Sequence, residues 1–563
     1  AGQTTTNGTV AIGRDALKSL TSGANNLAIG YQSMKVHTTG GHNIAIGAGA
    51  MDDTDAGSTS LGSEYNVFIG KDAGGGTWTN AATSYNVGIG NLVMDSALAG
   101  VQYTTAVGHN ALSAVTSGLN NSVFGTQAGF AITTAGNNVA IGTLAMSTHT
   151  TGDRNIAIGS RAMDDTDAGS TSLGSSDNIF IGYDAGGGTW ADAATNNCVA
   201  IGNYAMDSAL NTANNSVAIG YAALGAVTTA DSSVAIGKEA LLSITTGDAN
   251  IGIGQHAMHV HTTGGSNIAI GRFAMDDTDA GSTSLGSEHN IFMGYDAGGG
   301  TWADAASNYN VAIGPYAMDA ALNGALYNIA IGWNSGGAIT TGDKNVGIGV
   351  GTNSAVTTGA SNIALGHGAN DETTTGGVNI AIGDDALGEN IVGSFLTGIG
   401  LSALQYAGLH GGAAVNSFTV GIGYTAGRYQ TGSYNTFVGD YAGTGAATTA
   451  PYGSGERLTA VGAYALAYTT SEDGNTAVGY SAMGNTRSGS ENVAIGDRAM
   501  NNTRGSSYNI AIGTLSMYSA TTAGANTLVG HNTGYSLTTG GTNIAVGYRA
   551  SYYTTTGGQN VAL

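Results

Sequence analysis

Asn43-Ile44-Ala45-Ile46-Gly47 is one of 31 copies of a phrase that recurs along the whole 563-residue chain, with its closing glycine at 13, 30, 47, 70, 90, 108 and onward to 547. Asn560-Val561-Ala562-Leu563 opens the last copy. Self-similarity at a short, nearly constant interval, as from Gly13 to Gly30 and from Gly30 to Gly47, is the signature of a solenoid, in which each repeat touches only its neighbours. The residue before the glycine is apolar in all 31 copies, and the residue two places earlier is usually Val or Ile, which is the period-two alternation of a strand. Between them stands Ala in 20 copies and Gly in 5. We read Ile and Val as turned inward and the small residue as turned outward, so that Ala45, Ala157 and Ala269 lie on a stripe where other chains approach.

Four residues before the glycine, Asn occurs in 23 copies, often enough for its amide to stack as a ladder from coil to coil. A second apolar pair such as Ala145-Met146 follows the glycine, and then a turn such as Thr38-Thr39-Gly40. Each unit reads as one coil of two short strands and two turns. The fold class is all-β: a parallel β-roll or β-solenoid of about 31 rungs, most of them as long as the one from Gly13 to Gly30.

The whole of 1–563 reads as one continuous solenoid. Within it one long block occurs three times, at 47–158, 159–270 and 271–382, and "MDDTDAGSTSLGS" begins at Met51, Met163 and Met275. Residues 383–462 form irregular, loop-bearing rungs, and 463–563 return to the regular spacing of Gly13 and Gly30. Both ends read as cuts through a longer array.

Composition narrows the function. Charge is sparse, and 37 acidic against 15 basic residues give −22, a surface that repels nucleic acid. No run of about 18 apolar residues marks a membrane span. The single Cys198 can form no intramolecular disulfide. No nucleophile-base motif, phosphate-binding loop or zinc spacing appears, so catalysis is not expected.

The inserts of the three long blocks supply the only repeated candidate patch. Asp52, Asp53 and Asp55 lie in the first and read as a solvated acidic loop, with Ca2+ as the less favoured alternative because the spacing of an EF-hand is missing. Trp78, Trp190 and Trp302 lie in the second, where each indole either stacks on a sugar of a cell-surface receptor or folds back over its own loop. His259 and His261 form an H-x-H pair whose equivalents are Lys35 and His37, then Ser147 and His149. The pair reads as surface histidines and not as a metal site. The Thr-Thr-Gly turns leave a minor reading as an ice-binding solenoid.

The strings "NVAIG", "SVAIG" and "TAVGY" resemble the head repeat of the YadA-like trimeric autotransporter adhesins, and the regular rung with "TTG" is similar to repeats of bacteriophage tail fibres. The resemblance spans essentially the whole chain, though the rungs are longer than is usual in such heads. It implies a homotrimer that works outside the cell, on a virion tail or a bacterial surface, as a fibrous shaft binding a receptor or glycan through its inserted loops. The alternative is a purely structural extracellular filament without a specific ligand. Rungs spaced by roughly 4.8 Å make a rod of about 150 Å. Small-angle scattering should therefore report an elongated particle, and a compact globule would overturn the solenoid reading.

Overall fold

Every copy of the phrase is a strand. In the computed structural model, which describes residues 7–54, 62–79, 81–166, 174–190, 194–278, 286–302, 305–408, 417–445 and 453–563, each strand spans three residues, apart from the two of Val561–Ala562. No helix occurs among the described residues. The fold is an all-parallel β-solenoid of about 30 turns. It divides into two units, Ala1–Asp277 with Leu285–Ser287, and Thr278–Ser284 with Glu288–Leu563. The first holds the fifteen strands from Val10–Ile12 to Ile268–Ile270, and the second the sixteen from Ile291–Met293 to Val561–Ala562.

Within each unit, consecutive strands pair in parallel with like positions opposed. Val139, Ala140 and Ile141 face Ile156, Ala157 and Ile158, for example. The Ile44 amide donates to Asn66 of the next coil at 2.8 Å, and the Gly47 amide to Ile29 of the previous one at 2.8 Å. The closing glycine is required there: Gly47 has φ +141, and a Cβ on it would meet the Gly70 carbonyl of the next coil. The asparagine ladder forms as expected, with Asn26 Oδ1 accepting from the Asn43 amide at 2.9 Å and Asn43 Oδ1 from the Asn66 amide at 3.0 Å.

Two expectations are corrected. The second apolar pair is not a strand, because its residues sit in a turn of alternating handedness. Gln32 and Met34 have φ 59 and 49, and both amides bond to neighbouring coils, to Arg14 and Ala50, at 2.9 Å. These bonds hold non-glycine residues in the left-handed region, which is otherwise disfavoured.

The second correction reverses the strand faces. Ala45, Ala157 and Ala269 are fully buried in the core, not on an outer stripe, while the flanking Ile and Val point outward. The reason is volume. A coil interior holds one strand side chain together with the Ala and Met or Leu of the turn and buried polar side chains, such as Ala162, Met163, Asn155 and Thr166 beside Ala157. Where the strand places Phe inside, at Phe68, Phe180, Phe292 and Phe437, the Met position becomes Gly74, Gly186, Gly298 and Gly443. A Cβ on Gly74 would lie 2.9 Å from Phe68 Cδ1. Two inward Ile residues per coil would overfill this space.

The exchange is testable in a coil that has the small-large arrangement. Ala157→Phe should destabilise the protein by about 1–3 kcal/mol through overpacking. Adding Met163→Gly should recover most of that loss, a coupling measured as a double-mutant cycle in denaturant unfolding.

Candidate functional site

The outward face of the strands is mostly apolar. Ile89, Ile201 and Ile348 are 39%, 38% and 43% exposed, and the parallel register lines such residues into continuous columns within each unit. Hydroxyls interrupt them at Thr105, Ser122, Thr397, Thr436, Thr459, Thr476 and Thr527.

The tryptophans expected to meet a receptor are interior. Trp78, Trp190 and Trp302 are fully buried, and each indole Nε1 donates to a carbonyl four residues back, Gly74 at 3.0 Å and Gly186 and Gly298 at 3.1 Å. Each packs on the Phe of its own coil, at 5.9 Å for Phe68 and Trp78. Burial of that size makes them core residues, with no face left for a sugar. The fourth tryptophan, Trp333, is 52% exposed and carries the one indole open to solvent.

Asp53 braces the same loop. Its carboxylate accepts from Thr77 Oγ1 at 2.5 Å and its carbonyl from the Trp78 amide at 3.0 Å, and Asp165 accepts from Thr189 at 2.6 Å in the next block. Asp55 lies outside the described residues. Asp52 joins a different group. It stands five residues after its glycine, Asp72 stands two after the next, and Asp95 five after the one beyond, so consecutive coils bring three carboxyls together. Burial, then Asp53 and Asp72, raises Asp52, and burial, then Asp72 and Asp52, pushes Asp95 up to about 6. Asp207 rises to about 6 by burial and by Asp184 and Asp164, though Arg161 bonds Asp164 at 2.8 Å, and Asp319 rises to about 6 by burial and by Asp296. Asp371 reaches about 6 by burial, then by Glu372, Asp385 and Glu389.

The places two and five residues after each glycine thus form a ridge that collects the polar chemistry. Arg428 Nε donates to Gln405 on it at 2.7 Å, and His259 lies on it too. His261 does not. It is fully buried, with Nε2 2.9 Å from the Gly264 carbonyl, as His37 and His149 are beside Gly40 and Gly152. The expectation of two surface histidines is therefore corrected for His261, whose ring closes its own turn from inside. Among the described residues, three ligand atoms come within reach of one ion in only two places, Glu239 with His256 and His259, and His367 with Asp384 and Asp385. The Asp52 group is neither of these.

Five residues before the glycine runs an aromatic ladder that the sequence reading missed. His42, Tyr65, Tyr85 and Tyr103 stack at 4.7, 5.1 and 5.2 Å, and Phe395, Phe418 and Tyr434 at 4.7 and 5.4 Å. Near-parallel rings cover one another's faces and present their edges, which stabilises the stack more than it offers a sugar platform. Cys198 stands in the asparagine ladder, its Sγ 2.9 Å from the Ala213 carbonyl, and burial pushes its thiol up to about 12, so the thiolate needed for reactivity is absent near neutrality.

No family model matches the chain, and no curated protein matches it.

The raised carboxyls predict an inverted acid response. Asp95, Asp207, Asp319 and Asp371 move from 3.8 to about 6, so the folded chain binds more protons than the unfolded chain across that window. Their contribution to stability is full below about pH 4 and is lost as the pH rises through about 6. Urea midpoints at low salt should fall over this range, and Asn at all four positions should flatten the fall.

Proposed function

We propose that the chain is the repeated shaft of a fibrous attachment protein, a phage tail fibre or surface adhesin, that works outside the cell as a homotrimer. The observation that carries this reading is the outward columns of Ile and Val. Fifteen coils in the first unit, at roughly 4.8 Å each, make an apolar stripe about 70 Å long. Even about 10 Å of width exceeds the few hundred Å² of contiguous apolar surface that a soluble monomer ordinarily exposes, so other chains are needed to cover it. Resemblance of the repeat to trimeric adhesin heads supports the number three. With Trp78, Trp190 and Trp302 interior, the exposed Trp333 is the aromatic group through which receptor or glycan contact is proposed.

Burial of the three tryptophans favours a second reading, an extracellular filament with no specific ligand. The two readings part on binding. Native mass spectrometry should give three times the 55.6 kDa chain mass, and a single-chain mass would remove the shaft reading. Ile201→Lys with Ile219→Lys should yield folded single chains, whereas Ala200→Lys should unfold its coil, since it places an unpaired charge in the core. The intact trimer should bind cells or a glycan array and lose that binding with Trp333→Ala. A trimer that binds neither is the filament.

A further inference from the structure

Glu239 and His256 occupy the same place in consecutive coils, two residues after Gly237 and Gly254, with φ 56 and 59. Coil-to-coil bonds fix both backbones: the Glu239 amide donates to Tyr221 at 2.8 Å and the His256 amide to Lys238 at 3.0 Å. His259 stands three residues further along the second coil, and its ring stacks on that of His256 at 4.7 Å. Glu239 Oε2 lies 3.1 Å from His256 Nε2 and 3.7 Å from His259 Nε2, and the three atoms fall within 4.8 Å of one another. Lys238 Nζ, 3.3 Å from Glu239 Oε1, engages the other oxygen and leaves Oε2 turned to the imidazoles. Phe273 also packs against the His256 ring, edge-to-face at 5.4 Å.

His256 Nε2 is shut off from solvent and makes no hydrogen bond, although Glu239 Oε2 stands 3.1 Å away. A buried nitrogen left in this state is costly unless something completes it. Around a tetrahedral ion of the zinc class, with bonds near 2.0–2.1 Å, neighbouring donors stand about 3.3 Å apart, which the 3.1 and 3.7 Å separations bracket. Two imidazoles and one carboxylate suit zinc, nickel or copper and not calcium or magnesium, which take oxygen ligands.

We propose that Glu239, His256 and His259 form a binding site for a divalent transition cation of the zinc class, with a fourth position open to water, and that the ion clips the turn after Gly237 to the turn after Gly254. The repeat supplies its own comparison. The corresponding places one block earlier hold Gln127, Leu144 and Ser147, and those one block later Gly351, Gly368 and Asp371, so both histidines and the glutamate are peculiar to this point. Lys238 and Arg272 oppose a cation electrostatically, so the site is selective through its nitrogen ligands and not through net charge.

The test uses the full chain, stripped with a chelator and titrated with Co2+, then with Zn2+ as competitor. Saturable d–d absorption of tetrahedral Co2+, displaced by Zn2+, and a rise in melting temperature on metal addition are expected. His256→Ala and His259→Ala should each weaken binding by more than about 100-fold, beyond the 10–100-fold typical of losing an outer partner. His367→Ala, in the other three-residue grouping, should leave the spectrum unchanged. Melting without metal identifies any variant that fails to fold, and His259→Gln, at a partly exposed position, keeps the comparison available if His256→Ala does. Absence of saturable binding by the full chain, or a spectrum that persists in folded His259 variants, would overturn the proposal.

Discussion

The narrow interior of a single coil is the constraint on which the rest of the structure depends. With one three-residue strand per turn of the solenoid, the core takes one side chain from the strand and a small-large pair from the turn. Ala157 with Met163, and Phe180 with Gly186, are two solutions to one volume. Packing at near-crystalline density makes the two halves of each solution dependent on one another. The remaining strand residues are mostly β-branched, suit an extended backbone, and have nowhere to go but outward.

Stacking at a fixed spacing then turns each sequence position into a column. Inter-coil backbone bonds hold the turn even where Met34 or Gln32 adopts a left-handed conformation. A side chain two or five residues after the glycine is therefore set against its counterparts in the coils above and below. This is why the Asp52, Asp72 and Asp95 carboxyls crowd together, so that Asp52 and Asp95 resist ionisation, and why Glu239 meets two imidazoles. It is also why tyrosines five residues before the glycine stack face to face. Chemistry in this fold is made by neighbouring repeats together.

An exterior of Ile and Val columns beside sparse charge is ill suited to a lone chain in water. The same columns are regular and mostly apolar, with a hydroxyl only at places such as Thr105, Ser122 and Thr397. The formal charge of −22 makes the chain as a whole acidic.

The period of the glycine phrase, the alternation of the strand and the asparagine ladder were legible in the sequence, because each is a statement about order along the chain and a solenoid is nearly one-dimensional. The three buried histidines and the pairing of Phe with Gly were legible too, had columns been compared and not only phrases: Phe68 goes with Gly74 and Phe437 with Gly443, a volume exchange that marks the middle strand residue as interior. Alternation alone could not say which face is inside, since both faces are largely apolar and the usual rule that larger residues go inward fails where the coil takes only one side chain from its strand. The left-handed turn, the burial of Trp78 and the meeting of Glu239 with His256 and His259 were decided only by tertiary structure. Each depends on how far one coil lies from the next and on where its turn points, quantities set by inter-coil hydrogen bonds between residues distant in the chain.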